Sequence, residues 1–281
     1  MLFFWPAFHT DFSKFSRQSE EGKEVGKLNF ICTFPGILAP LFGGIIIERF
    51  GYSTVFIVIL CLLITSAIPL FLSREVYQIY TDSYKETIER IRKKKNRYLN
   101  LSLIAESCET GINFFLWPLF LITLGISFEN IGGLSSVALM VGAFFTLYMG
   151  KITDKIKPKR VLIVGSILTS GAWIGKYFVF DTISGFLAQS IYRLFRTSAQ
   201  IPFQTIFYDK AKDHGSEMDE FIILREMIVN LSRSVLFLVF SGIFLFTSKV
   251  NITFPFAAVF SLMFMLILKK TSNNSLKKII H

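Results

Sequence analysis

The sequence contains few of the residues that build metal centres and covalent catalytic sites. Three cysteines and three histidines are scattered through its 281 residues. Cys32, Cys61 and Cys108 each lie alone in an apolar run, without the spacing that metal ligation requires. We therefore expect no metal site and no cofactor. The sequence also has no glycine-rich nucleotide-binding loop, so ATP is not expected to drive its activity.

Acidic residues are fewer than basic ones. The chain has 20 aspartates and glutamates against 30 lysines and arginines, and its formal net charge is +10. In a soluble protein this excess would indicate binding to nucleic acid. The basic residues here lie mostly in the connections between apolar runs, so membrane topology explains them better and we expect no nucleic-acid partner. The first residues have neither the cationic leader nor the small-residue cleavage site of a signal peptide.

Apolar residues are abundant: they make up 52% of the chain, which includes 32 phenylalanines. Runs of about 20 apolar residues match the thickness of a bilayer core, and lipid forces each run to be helical because it offers no hydrogen-bond partners. Eight such runs cover approximately residues 26–48, 52–72, 99–124, 128–150, 160–180, 183–208, 220–246 and 250–269. The sequence thus predicts an all-α integral membrane bundle with about eight full transmembrane helices and a partial one at its N-terminus.

The distribution of positive charge predicts which connections face the cytoplasm. When the connections are assigned alternately to two sides, one side receives 23 lysines and arginines and the other receives only Arg49 and Lys249. The positive-inside rule places the basic side in the cytoplasm, together with the turn at residues 151–160 and the C-terminal tail. We therefore expect a multi-pass protein of the plasma (inner) membrane, surrounded by lipid bilayer, with a cytoplasmic C-terminus.

The longest connection divides the chain. Residues 74–98 combine tyrosines and isoleucines at helical spacing with the basic run RIRKKKNR, which predicts an amphipathic helix on the cytoplasmic lipid surface. A solvated charge run is the alternative. The predicted division is residues 1–73 with two spans and a fragment, residues 74–98 as a basic connection, residues 99–269 with six spans, and residues 270–281 as a tail.

Three of the predicted spans place polar side chains on one helical face. Ionisable groups are costly in lipid, so they usually face a water-filled cavity or a partner. We therefore predict a solute or proton pathway from these faces. Its candidate residues are Glu106, Glu109 and Asn113 in one span, Gln189, Arg193 and Arg196 in another, and Glu226, Asn230 and Arg233 in a third.

Two interpretations of these charges remain open. In the first, Glu106 or Glu109 carries a coupling proton, and the arginines hold an anionic group of the solute or neutralise the acids. In the second, carboxylates and arginines pair across helices and only stabilise the bundle. Lys176 lies near the outer end of its span, and we expect its ammonium group to reach the membrane interface.

One cytoplasmic connection contains a motif. The sequence GKITDKIKPKR resembles the turn G-x-L-x-D-R-x-G-R-R, which follows the second helix in each half of a major facilitator superfamily (MFS) transporter. The matching residues are Gly150, Ile152, Asp154, Lys155, Lys159 and Arg160. Lysine replaces arginine at position 155, Lys157 stands near the second glycine, and Pro158 is an extra residue. We expect Gly150 to allow close helix contact and Asp154 to cap the next helix. The resemblance implies a charge latch that stabilises one access state.

An earlier span also resembles this family. The segment FPGILAPLFGG is similar to its fifth-helix motif G-x-x-x-G-P-x-x-G-G. The matching positions are Ala39, Pro40, Gly43 and Gly44, although Pro35 and Ala39 replace the first two glycines. Small residues and proline here allow close packing and a kink. In the family this motif is associated with antiporters, so the resemblance favours export. The alternative is that these residues only form a general close-packing helix face.

The resemblance implies an N-terminally truncated MFS transporter that extends from about helix 4 or 5 to helix 12. It implies secondary active transport of a small solute by alternating access, coupled to protons, around a site near the bilayer midplane. One alternative is a non-transporting remnant or scaffold that needs a partner to complete the cavity. Another is a membrane enzyme, but the sequence lacks a clustered catalytic motif at a membrane face, so no enzymatic activity is expected.

Overall fold

The computed structural model describes residues 21–72, 96–212 and 218–269, and within them the chain forms helices and no strand. The helices are α1 (Glu21–Leu72), α2 (Arg97–Gly111), α3 (Trp117–Thr123), α4 (Phe128–Lys155), α5 (Pro158–Lys176), α6 (Thr182–Lys212), α7 (Met218–Phe244) and α8 (Phe254–Met263). Short 3₁₀ turns flank α8 at Val250–Thr253 and Phe264–Leu268. The predicted all-α fold class is confirmed. The opening fragment, most of the basic connection and the tail lie outside the described residues.

α1 changes direction at Gly51. This residue has φ 77° and ψ 174°, a backbone conformation that favours glycine because a Cβ atom would be strained there. α1 therefore consists of two segments, residues 21–50 and residues 52–72, which coincide with two of the predicted apolar runs.

A π-helical turn, Ile112–Leu116, connects α2 to α3. Pro118 stands in the first turn of α3 and has no N–H group to donate to the carbonyl of Phe114, four residues earlier. The helix widens where this bond is missing, as is frequent at functional positions in helices. Asn113 and Phe114, both in this turn, line the cavities that lie at the centre of the bundle.

The first segment of α1 packs on α4 through close backbone contacts. A Cβ atom on Gly132 would lie 2.3 Å from the carbonyl oxygen of Pro40, and a Cβ atom on Gly44 would lie 2.6 Å from that of Phe128. Toward the opposite end, a Cβ atom on Gly26 would lie 2.9 Å from a carbonyl oxygen of α4. These contacts show that the two helices run antiparallel, with backbones so close that only glycine fits.

The residues of the fifth-helix motif differ in their surroundings. Pro40 and Gly44 touch the backbone of α4, so the close packing predicted for this motif occurs at these two positions. No atom of the described residues lies within 4 Å of a Cβ atom built on Gly43. All four residues of the motif line the cavities beside this contact.

Two apolar clusters form the core at successive levels of the bundle. One lies toward the turn between α4 and α5 and includes Leu162, Phe203 and Phe264. The other lies toward the opposite end and surrounds Trp117 and Trp173. The polar faces of α2 and α6 meet between these clusters, so the charged groups are enclosed by apolar layers on both sides.

Large apolar side chains cover the outside of the bundle. Every side chain from residue 56 to residue 66, in the second segment of α1, is exposed. Four stretches of the described residues are long and apolar enough to cross a membrane: Lys23–Ser66, Phe128–Lys155, Phe221–Phe244 and Val250–Leu268. An apolar surface of this extent needs lipid around it, and the chain is a multi-pass membrane protein. The number of full spans stays a prediction.

Candidate functional site

Glu109 of α2 lies at the centre of a buried polar network. Its side chain is 0% exposed and accepts hydrogen bonds from Trp173 Nε1 of α5 at 2.9 Å and from Tyr192 Oη of α6 at 2.6 Å. Arg196 Nε, one turn further along α6, donates to the second carboxylate oxygen at 2.8 Å. One carboxylate therefore joins three helices, and each of its bonds crosses from one helix to another.

Glu106 lies one turn before Glu109 and shares the same arginine. Arg196 Nη2 is 3.0 Å from Glu106 Oε1 and donates to Thr110 Oγ1 at 3.2 Å. The Glu106 side chain is 13% exposed and lines a cavity, whereas Glu109 is sealed behind it. Of these two carboxylates, Glu106 is the one that faces the cavity.

Lys176 does not reach the membrane interface, so the prediction made for it from the sequence was wrong. Its side chain is fully buried at the end of α5. Its Nζ lies 4.3, 4.1 and 3.7 Å from the ring centroids of Trp117, Trp173 and Tyr192. It also donates a hydrogen bond to Asn113 Oδ1 at 3.0 Å. Aromatic faces and an amide oxygen replace water around the ammonium group, which explains why this side chain turns inward.

Two adjacent cavities lie between the first segment of α1 and helices α2, α4 and α6. Their volumes are about 380 and 330 Å³. Residues that line both are Pro40, Asn113, Phe114, Leu139 and Arg193. Polar residues that line only the larger one include Asn29, Cys32, Glu106, Thr110, Tyr192, Arg196 and Gln200, and Gln189 lines only the smaller one. The structure thus brings the predicted residues of α2 and α6 together around one space.

Asn29 of α1 is a wall residue that the sequence analysis did not single out. Its side chain donates to Gln204 Oε1 at 2.8 Å and accepts from Gln200 Nε2 at 3.2 Å. These bonds connect α1 to α6 across the edge of the larger cavity. The available signal was a single asparagine within the apolar run 26–48, which is too weak a pattern to identify a partner.

The two arginines of α6 have different surroundings. Arg196 pairs with both Glu106 and Glu109. Arg193 lines both cavities, and its Nε is buried without a hydrogen-bond partner among the described residues. Its Cζ lies 5.8 Å from the ring centroid of Phe114. Arg196 therefore neutralises the acids, whereas Arg193 faces both cavities without an ion-pair partner among the described residues.

The polar face of α7 lies away from this space. Arg225 pairs with the carboxylate of Glu226, and Asn230 Nδ2 donates to the Glu226 carbonyl oxygen at 2.7 Å. Arg233 packs beside Gly111 of α2, where a Cβ atom on the glycine would lie 3.9 Å from Arg233 Cγ. Among the described residues that line the two cavities, none is a predicted site residue of α7.

The turn between α4 and α5 contacts the beginning of α1. The backbone N–H of Lys23 donates to Asp154 Oδ2 at 2.9 Å, so Asp154 caps α1. The predicted cap on the following helix is wrong: α5 starts at Pro158 and has no side-chain cap within the described chain. A proline at the first position lacks the N–H that a cap would satisfy, whereas the first N–H groups of α1 need acceptors. The exposed cations from residue 155 to residue 160 are Lys155, Lys157, Lys159 and Arg160.

Gly150 allows this contact to form. A Cβ atom on Gly26 of α1 would lie 3.2 Å from the Cα atom of Gly150, which shows that the two backbones almost touch one turn before Asp154. The close helix contact that the sequence predicts for Gly150 is therefore present. It brings the start of α1 within reach of the Asp154 carboxylate.

A helical membrane bundle with a polar cavity between its helices has the architecture of a membrane transporter. The family model of the Major Facilitator Superfamily matches residues 1–235, and the chain belongs to this superfamily of membrane transport proteins. No curated protein sequence matches the chain.

A solved structure supports the same fold. It is described as the crystal structure of a Major Facilitator Superfamily (MFS) transporter, FucP, in the outward conformation. The TM-score is 0.66 and the sequence identity is 13%, over 95% of this chain and 72% of that chain. At this identity the likeness shows the fold alone. The family resemblance stated from the sequence is confirmed.

Proposed function

We propose that the protein moves a small solute across the membrane by secondary active transport through alternating access. The main support is the pair of cavities between the first segment of α1 and the helices of residues 99–269. Their walls combine a few amide and charged groups with apolar and aromatic side chains, as is typical of ligand sites. Rocking of α1 against the six-helix half would open this space to one side and then to the other.

Glu106 is the proposed proton carrier. It lines the larger cavity and shares Arg196 with Glu109. Protonation would weaken the hydrogen bond that Glu106 accepts from Arg196, because the neutral carboxyl oxygen accepts it without the ionic contribution, and would leave Glu109 as the only charged partner. Proton binding at the cavity wall would therefore change how firmly α2 and α6 are held together, which couples protonation to the shape of the cavity.

Glu106→Gln tests this coupling. The glutamine oxygen still accepts from Arg196, but the side chain no longer titrates. In proteoliposomes we expect the variant to lose the uptake that a pH gradient drives, while solute exchange without a gradient continues. Glu129→Gln, an exposed carboxylate in the first turn of α4, is the matched control and should behave as the parent. Unchanged gradient-driven uptake in Glu106→Gln would exclude Glu106 as the proton carrier.

The turn from Gly150 to Arg160 is the proposed gate. Its support is the cap that Asp154 gives to α1, since this bond joins α1 to α4 at the end of the bundle where the turn lies. By the charge distribution this end faces the cytoplasm of a plasma (inner) membrane, as does the C-terminal tail. The fifth-helix motif favours export as the direction of transport.

A second candidate is a membrane scaffold that needs a partner to complete the cavity. The observation that favours it is the exposure of every side chain from residue 56 to residue 66, which leaves this helical segment almost without neighbours among the described helices. Reconstitution of the chain alone distinguishes the two. Flux by the chain alone supports the transporter, and flux that appears only with a second protein supports the scaffold.

A further inference from the structure

Arg193 is a cation on the cavity wall whose guanidinium makes no ion pair or hydrogen bond with the described residues. It lines both cavities, and its Nε is buried and unpartnered within that part of the chain. A charged group at this depth is costly unless it faces water or a counter-charge. An anion in this space would supply the counter-charge that Arg193 lacks among the described residues.

Of the two arginines on the cavity wall, only Arg193 has no ion-pair partner among the described residues. Glu106 and Glu109 both pair with Arg196, so neither is available to Arg193. Lys176 lies directly behind Asn113 of the wall. Arg193 is therefore the arginine that lines both cavities and keeps no carboxylate partner among the described residues.

We propose that the cavities bind a small amphipathic organic anion whose carboxylate pairs with Arg193 and whose apolar body lies against Phe114 and Leu139. This inference rests on the proposed function, because it names the solute class of that same site. A guanidinium offers a carboxylate two parallel N–H bonds and is weakly hydrated, so it suits binding in a partly dry cavity.

The shared wall of the two cavities matches a ligand with one charged end. Arg193 and Asn113 are its polar side chains, whereas Pro40, Phe114 and Leu139 are apolar. An inorganic anion would satisfy the arginine but would leave these apolar surfaces in contact with water. An organic carboxylate covers both kinds of surface.

Cys32 provides a native probe of this space, because it is exposed and lines the larger cavity. The full chain with Cys61→Ser and Cys108→Ala keeps Cys32 as its single thiol. In lipid nanodiscs, its modification rate is measured with two methanethiosulfonates of similar size. One bears a sulfonate and the other a quaternary ammonium group.

The ratio of the two rates reports the charge that the cavity presents. We expect the anionic-to-cationic ratio to fall about tenfold in Arg193→Gln, because the positive field that concentrates anions near Cys32 is lost. Arg97→Gln is the matched control, since Arg97 is an exposed arginine at the start of α2, and its ratio should equal that of the parent. Equal ratios in the parent and in Arg193→Gln would overturn the proposal.

Protection of Cys32 by paired ligands tests the solute class. 2-Naphthoate and 2-naphthamide have the same ring system and differ in charge. We expect 2-naphthoate, and not 2-naphthamide, to slow modification of Cys32 by a neutral maleimide. In Arg193→Gln, protection should require about 10- to 100-fold more 2-naphthoate, as expected for loss of a charge-assisted hydrogen bond. Equal protection by both compounds, or by neither, would overturn the carboxylate assignment.

Flux measurements separate this inference from the proposed function. Protection by 2-naphthoate through Arg193 without any solute flux in proteoliposomes would support the anion site and contradict transport. Flux of neutral solutes with no charge preference at Cys32 would support transport and overturn the anion site.

Discussion

At the scale of single residues, the carboxylate of Glu109 has the most constrained surroundings. Three donors converge on its two oxygens, and two of them, Trp173 and Tyr192, are themselves fully buried. An amide has only one acceptor oxygen, so glutamine would point an NH₂ group at a donor. We expect Glu109→Gln to lower the free energy of unfolding by about 3 kcal/mol, because Arg196 loses most of its buried counter-charge.

Thermal unfolding of the detergent-solubilised protein measures this loss, and Glu106→Gln is the comparison. Glu106 is partly exposed and makes one bond to Arg196, and an amide oxygen can replace that bond. Its melting temperature should therefore lie close to that of the parent. A Glu109→Gln variant as stable as Glu106→Gln would show that the network does not hold the helices together.

Helical spacing predicted the polar faces of α2 and α6 but not their pairing. Glu106, Glu109 and Asn113 share one face of a helix whatever that helix packs against. Arg193 and Arg196 also share a face, and which of them meets the carboxylates depends on the rotation and depth of α6 against α2. No local pattern contains that information, so the sequence could not predict that Arg196 is the arginine that pairs with Glu106 and Glu109.

Lys176 shows the same limit for a single side chain. A lysine near the end of a span can extend to the interface or fold inward, and its flexible stem permits both. The rings that surround it belong to three different helices, α3, α5 and α6. The cage therefore exists only after these helices have packed, and the sequence around Lys176 gives no sign of it.

At the scale of elements, the contact between α1 and α4 depends on glycines that differ from their immediate neighbours. Gly44 and Gly132 approach the partner's backbone, whereas no described atom lies within 4 Å of a Cβ atom on Gly43 or Gly133. We expect Gly44→Ala and Gly132→Ala to push the helices apart and to lower stability by about 1–3 kcal/mol. Gly43→Ala and Gly133→Ala should be neutral or slightly stabilising.

Melting temperatures of the four single variants test this contact, because each destabilising change has a control one residue away. Equal melting temperatures for all four variants would contradict this contact. Transport assays of Gly43→Ala and Gly133→Ala would also show whether the open space beside Gly43 is needed when α1 moves relative to α4.

The cap that Asp154 gives to α1 connects elements that are far apart in the chain. Loss of a helix cap costs about 1 kcal/mol, which shifts the population of the capped state about fivefold. We therefore expect Asp154→Ala to speed the reaction of Cys32 with maleimide by about fivefold. The measurement uses the single-cysteine chain in vesicles that expose this end of the bundle.

Asp181→Ala is the control for this experiment. Asp181 caps α6 at the opposite end, where its Oδ1 accepts from the Ser184 N–H at 2.8 Å. Hydrogen bonds from Ser184 also lower the pKa of Asp181, so the carboxylate is charged at neutral pH. Its removal takes away a comparable cap without touching α1. An equal rate increase in both variants would indicate general loosening of the bundle and would contradict a specific latch.

At the scale of the whole molecule, the sequence predicted the fold better than it predicted the site. Lipid forces each apolar run to be helical, so composition alone defines the helices of the bundle. The break at Gly51 was also visible as a turn between two runs. The π-helical turn before Pro118 was not visible in the sequence, because it is a local rearrangement of one helix. The contact of Asp154 with α1 was not visible either, because it requires two distant segments to meet.

The two ends of the bundle differ in charge, and this difference predicts its orientation in the membrane. The breaks at Gly51 and Gly125 lie at the same end, as the contact between Tyr52 and Phe128 shows. The turn between α4 and α5 lies at the other end, and five lysines and arginines stand between residues 151 and 160. Cationic connections remain in the cytoplasm during insertion, so the end with the Asp154 latch should face inward.

Reporter fusions test this orientation. A phosphatase that is active only outside the cytoplasm should be active when fused after Gly51 or after Phe180, and inactive when fused after Lys157 or His281. Inactivity at all four positions would indicate failed insertion. The reverse pattern would place Asp154 on the outer side, so that the latch would close the outer end and the cavities would be loaded from the cytoplasm. The fusions therefore show which side of the membrane is shut off from the cavities while Asp154 caps α1. They also show from which side the proposed anion binds first.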